Sequence, residues 1–182
     1  MIYVFLAEGF EVTEALTTVD ILRRGKLDVK TVAVGTDDNK VTSSHNISVV
    51  ADINESEITK SEIEGVILPG GMPGTLNLEK SEIVAEYVQY CIDNGLIVGA
   101  ICAAPSVLGK MGILDGKKAT CFPGFEEYLQ GADFTGDFAV TDGKVVTGKG
   151  MGATIPFALQ LLKLFKDEET VNTVHSSLQC PY

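Results

Sequence analysis

Cys102 stands between small residues at the point where a strand-like apolar run ends. Residues 96–101 read LIVGAI, and alanines occupy the positions two before and two after the cysteine, Ala100 and Ala104. A sharp turn from a strand into a helix needs small residues at these two positions, and it lifts the central side chain above the sheet. The pattern therefore predicts a nucleophile elbow that presents a thiol. The other interpretation is a small buried cysteine that fills a tight space.

Such a thiol acts as a nucleophile only as its thiolate. The backbone N–H groups and the positive dipole end of the helix expected after Cys102 would stabilise that form, so we expect a thiol that is reactive at neutral pH. The other cysteines, at positions 91, 121 and 180, show neither C-x-x-C nor zinc-ligand spacing, and no metal site is predicted. We expect free thiols throughout, with Cys91 and Cys121 filling the core.

Gly70 and Gly71 follow a second apolar run at residues 65–69. Without side chains, their backbone N–H groups can face an anion directly, as in an oxyanion hole. A tight turn is the alternative interpretation. The segment has neither the Lys-Ser/Thr ending of a P-loop nor the spacing of a dinucleotide fingerprint, so nucleotide binding is not predicted.

Glu14 lies in the first turns of a predicted helix whose core face comprises Val12, Leu16, Val19 and Leu22. On a helical wheel Glu14 then points away from the core, and a solvated carboxylate is one interpretation. If the side chain instead turns toward the strand ends, it would meet Cys102. A carboxylate beside a thiolate raises the pKa of at least one of them, so the pair would share a proton.

The chain contains only two histidines, His45 in a predicted hairpin and His175 near the end of the sequence. A cysteine hydrolase needs a base that a third group orients, and neither histidine follows a strand end that would meet Cys102. A conventional Cys-His hydrolase is therefore not predicted. His45 would line the site only if its hairpin, or a second subunit, reaches over it.

The elements that must position these residues alternate between short apolar runs and segments of helical periodicity. This alternation predicts an α/β fold, a mostly parallel and doubly wound sheet with helices on both faces, whose ligands bind at the carboxyl ends of the strands. Two antiparallel hairpins interrupt it, one leading from residues 37–40 to Ile47 and one at 141–144. The predicted strands are 2–6, 29–34, 47–50, 65–68, 96–101 and 144–147, and the main predicted helices cover 12–22, 83–91 and 153–165.

Length and charge narrow the class of protein. The 182 residues fit a single domain, residues 1–182, with a full hydrophobic core. A net charge of −11 disfavours nucleic acid and anionic membranes as partners. No apolar run approaches the roughly 20 residues that span a bilayer, and the first residues lack the features of a signal peptide. We therefore expect a cytoplasmic protein.

Four segments together resemble the ThiJ/PfpI family, in its protein deglycase branch, and the resemblance runs through nearly the whole chain. Each segment is weakly specific alone, but the four are specific together. They are AEGFEVTE at 7–14, VILPGG at 66–71 with Asn77 and Leu78, AICAAP at 100–105, and TGKGMG at 147–152.

The resemblance implies a flavodoxin-like three-layer sandwich of the class I glutamine amidotransferase type, usually a homodimer, with no metal or organic cofactor. Cys102 matches the family's oxidation-sensitive cysteine, and Glu14 matches its protonated glutamate partner. Gly71 and Ala103 match the residues whose backbone N–H groups line the oxyanion pocket, beside Gly70.

The chain departs from the family pattern at three positions. Ala103 replaces the histidine that follows the cysteine in the protease-like branch, which argues against a peptidase. Phe122 stands where the deglycase branch often has a histidine near the cysteine, and His45 matches an arginine that reaches the site in relatives. We include His45 and Phe122 among the candidate substrate-binding residues.

Two functions follow from the resemblance. Family members are described as glutathione-independent glyoxalases that turn methylglyoxal into lactate, as deglycases, and as oxidative-stress proteins whose cysteine becomes a sulfinic acid. We expect an enzyme that uses Cys102 to attack a small reactive aldehyde or a glycated substrate through a hemithioacetal. The alternative is a redox sensor in which Cys102 is oxidised without turnover.

Overall fold

The computed structural model describes residues 1–180, which form short strands and helices in alternation. The strands are β1 (Ile2–Ala7), β2 (Val29–Val34), β3 (Lys40–Thr42), β4 (Ser48–Val50), β5 (Ile53–Asn54), β6 (Gly65–Leu68), β7 (Ile97–Ile101), β8 (Lys118–Ala119), β9 (Asp133–Phe134), β10 (Ala139–Asp142) and β11 (Val145–Gly148). The helices are α1 (Val12–Arg24), α2 (Gly74–Lys80), α3 (Glu82–Asp93), α4 (Pro105–Lys110), α5 (Thr154–Phe165) and α6 (Glu168–Ser177).

Seven strands form the central sheet in the order β10-β11-β7-β6-β1-β2-β5. Every neighbouring pair in it is parallel except the edge pair β10 and β11. The strand order reverses between β1 and β6, because the chain runs from β1 to β2 on one side and returns to β6 on the other. Their carboxyl ends border the crevice where doubly wound sheets bind ligands.

Strand β1 shows how the sheet is covered on both faces. All six of its residues are buried. Val4 and Leu6 pack into the core formed with α1, α5 and α6, whereas Tyr3 and Phe5 pack into the core formed with α2, α3 and α4. A continuous apolar run is what a strand between two helical layers requires. The predicted flavodoxin-like α/β sandwich is confirmed.

Both predicted antiparallel hairpins are present. The strand predicted at residues 47–50 forms β4, which pairs with β3 outside the central sheet. The second hairpin consists of β10 and β11.

The core face of α1 differs in part from the predicted one. The prediction is confirmed at Val19 and Leu22, which are buried, but it is wrong at Leu16, which is 37% exposed. Ala15 is buried instead, and Ala15, Val19 and Leu22 follow the i, i+4, i+7 spacing of a helix face that packs against α5.

Candidate active site

Cys102 occupies a strained turn at the end of β7. Its φ angle is +65°, in the left-handed region that residues other than glycine seldom adopt. The Cys102 N–H donates to the carbonyl of Gly148 at 2.8 Å, and its own carbonyl accepts the N–H of Phe122 at 2.8 Å. Helix α4 begins only three residues later, at Pro105. Hydrogen bonds on both sides thus hold the strained backbone that presents the thiol.

Glu14 is buried beside this turn, so the solvated interpretation is wrong. The residue is 2% exposed, and its Oε2 accepts the N–H of Gly70 at 2.9 Å. Its carboxyl group also hydrogen-bonds with the Cys102 thiol. Rotation of α1 away from the predicted face explains the difference, because it turns Glu14 inward and leaves Leu16 outside.

Gly70 makes room for this contact. A Cβ atom at position 70 would lie 2.6 Å from the Cβ of Cys102 and 2.8 Å from Oε2 of Glu14, closer than real Cβ contacts. The Gly70 N–H serves Glu14 and is therefore not available to an oxyanion. The backbone N–H groups of Gly71 and Ala103 hydrogen-bond with the Cys102 sulfur instead. These two donors converge where negative charge on sulfur would need stabilising.

The protonation of the pair follows from its burial. Desolvation raises the pKa of Glu14 to about 7, against the opposing hydrogen bonds from Cys102 and Gly70. Burial, followed by the neighbouring Glu14, raises the pKa of Cys102 to about 12, although the N–H groups of Gly71 and Ala103 oppose it. Loss of water therefore opposes the thiolate that the backbone donors favour.

Above about pH 7 the pair carries one negative charge and holds one proton. The Glu14 carboxyl group and the Cys102 sulfur are hydrogen-bonded to each other and can therefore share this proton. Moving it across that bond produces a thiolate beside a neutral carboxylic acid, with no net charge entering or leaving the site. The arrangement can therefore supply a nucleophile and an acid in one step.

Cys102 opens into a cavity of about 390 Å³. His45 reaches this cavity from the loop of the β3–β4 hairpin, and its Nδ1 lies 3.1 Å from Oγ of Ser44. The hairpin is fixed to the site because the Ser44 N–H donates to the carbonyl of Phe10 at 2.9 Å. His175 lies on α6 and does not line this cavity. The lining residues are Glu11, Ser44, His45, Gly71, Met72, Cys102, Ala103, Phe122 and Phe125.

Sequence reasoning missed four of the lining residues, namely Glu11, Ser44, Met72 and Phe125. Only Glu11 had a usable signal, its position three residues before Glu14 at the start of a helix. Its carboxylate accepts the Glu14 N–H at 2.6 Å and caps α1. Met72 and Phe125 come from loops that only the tertiary structure brings to the site.

The remaining thiols lie in other surroundings. Cys91 and Cys121 are fully buried in the core, as predicted, and burial raises the pKa of Cys91 to about 12 and that of Cys121 to about 11. Among residues 1–180, no group of three or more potential ligand side chains could hold a metal ion. Nor does any helix in that range combine the length and apolar character needed to cross a bilayer.

The chain is similar to several known proteins. It is 38% identical over 175 residues to Protein DJ-1 homolog B of Arabidopsis thaliana, matching 95% of this chain. It covers only 40% of that protein and 45% of a second plant relative, homolog A. It is 28% identical to the glutathione-independent glyoxalase DJR-1.2 of Caenorhabditis elegans, covering 92% of this chain and 89% of the relative.

A solved structure has the same architecture. Toxoplasma gondii DJ-1, in a form described as oxidized, matches with a TM-score of 0.94 at 28% identity, over 100% of this chain and 98% of the other. The model of the DJ-1/PfpI family matches residues 1–164, which include every residue of the Cys102 site. The chain belongs to the DJ-1/PfpI family.

Proposed function

We propose that this protein is a cysteine-dependent enzyme that converts small 2-oxoaldehydes, such as methylglyoxal, into 2-hydroxy acids. The observation that carries the proposal is the buried Glu14–Cys102 pair, which holds one proton beside the converging N–H groups of Gly71 and Ala103. The relative named as a glutathione-independent glyoxalase supports the same reaction class. Glycated substrates are a wider class that would react through the same carbonyl chemistry.

The reaction needs only water besides the aldehyde. The sulfur of Cys102 attacks the aldehyde carbon, and the proton held by Glu14 passes to the carbonyl oxygen, giving a hemithioacetal. The Glu14 carboxylate then takes the proton from the former aldehyde carbon and returns it to the neighbouring carbon. The hydroxyl proton of the hemithioacetal moves to the neighbouring carbonyl oxygen, which leaves the thioester of the 2-hydroxy acid. Hydrolysis of the thioester releases the 2-hydroxy acid and restores the thiol. Gly71 and Ala103 stabilise the oxyanions formed on the way.

The decisive assay is lactate formation from methylglyoxal by wild type, Cys102→Ser and Glu14→Gln. We expect either substitution to lower kcat/KM by about 100-fold or more, because each removes a group that takes part in every turnover. Cys180→Ser is the matched control, since it replaces a thiol outside the cavity and should leave the rate unchanged. Wild-type lactate formation no faster than that of Cys102→Ser would exclude the proposal.

A redox role of the same cysteine is the second candidate. A sulfinate at Cys102 would be held by the same N–H groups and by protonated Glu14, and a structural neighbour is described as oxidized. Mild peroxide treatment followed by mass spectrometry tests this role. Addition of two oxygen atoms to Cys102 before Cys91, Cys121 or Cys180 supports it, whereas indiscriminate oxidation contradicts it.

We further propose that each chain folds as one domain, that two chains form a homodimer, and that the protein works in the cytoplasm. The reducing environment there keeps its four cysteines free. Exposed apolar side chains on the β3–β4 hairpin support the dimer, since Ile47 is 50% and Val50 is 78% exposed. Val50→Asp should shift the mass in sedimentation toward the monomer. Phe134→Asp is the control, because it introduces the same charge at an exposed aromatic position outside this hairpin.

A further inference from the structure

A second, apolar cavity adjoins the Cys102 cavity. It measures about 250 Å³, and the two cavities share one wall, the side chain of Phe122. The far side is formed by Phe138 and Met151, which are 66% and 57% exposed. Exposed apolar groups that line a concave surface next to a nucleophile are typical of a site that holds part of a substrate.

The wall between the cavities is fixed relative to the reactive sulfur. The Phe122 N–H donates to the Cys102 carbonyl at 2.8 Å, so the ring is one backbone hydrogen bond away from the elbow. On its other side the ring packs against Gly150, where a Cβ would approach it to 3.1 Å. The ring that lines both cavities thus lies next to the residue that carries the reactive sulfur.

The lining of the second cavity is almost entirely apolar. Its one ionic side chain, Lys149, turns its ammonium group away and donates to the carbonyl of Gly136 at 3.0 Å. The Lys149 N–H also donates to the carbonyl of Phe138 at 2.9 Å, which fixes the backbone that carries this exposed ring. The remaining lining is aromatic, thioether, proline, alanine and glycine. Such a surface suits an alkyl or aryl group, and it offers no partner to a polar one.

We propose that this second cavity is a subsite for an apolar arm, and that the preferred substrates are 2-oxoaldehydes with long alkyl or aryl substituents. The inference rests on the proposed function, whose simplest substrate, methylglyoxal, carries only a methyl group and leaves the subsite empty. Binding of a longer arm removes apolar surface from water on both the ligand and the protein.

The test is a homologous series of 2-oxopropanal, 2-oxopentanal and 2-oxooctanal, whose reacting groups are the same. Each methylene that becomes buried should raise kcat/KM roughly fourfold, and we expect a gain of at least about tenfold across the series. Hydrophobic subsites act on the ratio of kcat/KM values between homologues. A flat or falling series with an active enzyme would overturn the subsite and leave the proposed function standing.

Two variants locate the effect. Phe138→Ser and Met151→Ser should each reduce the ratio of kcat/KM for 2-oxooctanal to that for 2-oxopropanal, and the ratio cancels any general loss of activity. Phe134→Ser is the matched control, because it removes an exposed ring that lines neither cavity, and its ratio should equal that of wild type. If Phe138→Ser leaves the ratio intact but changes the oligomeric mass in sedimentation, the surface is a contact between copies and the proposal is wrong.

A binding measurement separates this inference from the proposed reaction. The inert ketone 2-octanone has the same alkyl arm and undergoes no isomerisation. Ligand-observed NMR with Cys102→Ser should show saturation of the alkyl protons, and Phe138→Ser should abolish it in that background. If no variant turns over any 2-oxoaldehyde but 2-octanone still binds in this way, the reaction fails while the subsite stands. Absence of 2-octanone binding overturns the subsite.

Discussion

The buried carboxyl group of Glu14 makes the stability of the protein depend on pH in a predictable direction. Its pKa is about 7 in the folded protein, against 4.5 for the ordinary carboxyl group that the unfolded chain exposes. Between these values the folded state binds more protons than the unfolded state, so the free energy of unfolding falls as pH rises. The difference between the two values corresponds to roughly 3 kcal/mol of stability, which is present below pH 4.5 and lost above pH 7.

Glu14→Gln should remove this dependence, because an amide does not ionise. We expect urea unfolding at pH 5 and pH 8 to show that wild type loses roughly 2–3 kcal/mol more than the variant over this interval. Subtraction of the variant cancels most of the contribution of the other titrating groups. Glu82→Gln, at an exposed position on α3, should behave as wild type. A wild-type excess below about 1 kcal/mol would refute the reasoning that desolvation dominates at Glu14.

Three further predictions concern stability. Gly70→Ala should cost about 1–3 kcal/mol in urea unfolding, because its Cβ would lie 2.6 Å from that of Cys102, whereas Gly152→Ala has open space and should be nearly neutral. Glu11→Ala should cost about 1 kcal/mol, since it removes the carboxylate that caps α1, and a change below the error of the urea midpoint would contradict that role. Phe157→Ala should cost about 3–5 kcal/mol because the ring is fully buried between α5 and the sheet, and a smaller loss would mean that the core collapses into the cavity.

Local patterns were sufficient to predict the elbow. The requirement for small residues around Cys102 acts within five consecutive positions, so it is visible in the sequence as Ala100 and Ala104. The glycine pair had two interpretations, and the choice depended on a neighbour 56 residues away, since the Gly70 N–H pairs with Glu14. A contact of that separation leaves no local pattern.

The orientation of α1 could not be obtained from its apolar residues alone. The apolar pattern correctly assigned Val19 and Leu22 to the core, but it placed Leu16 there, whereas packing against α5 selects Ala15. This difference on the helical wheel decides whether Glu14 faces water or the thiol. The sequence pattern also gave no indication of how far the β3–β4 hairpin extends. It therefore could not predict that His45 lines the cavity.

Residue periodicity and local steric limits were enough to predict the alternation of strands and helices, the parallel sheet and the turn that presents Cys102. The surroundings of the thiol depend on tertiary packing instead. Segments distant in the chain remove water from Cys102 and Glu14 and raise the pKa of both, and this burial opposes the thiolate that the helix N-terminus favours. The reactive group is thus a carboxyl–thiol pair that shares one proton, and neither residue alone determines its charge.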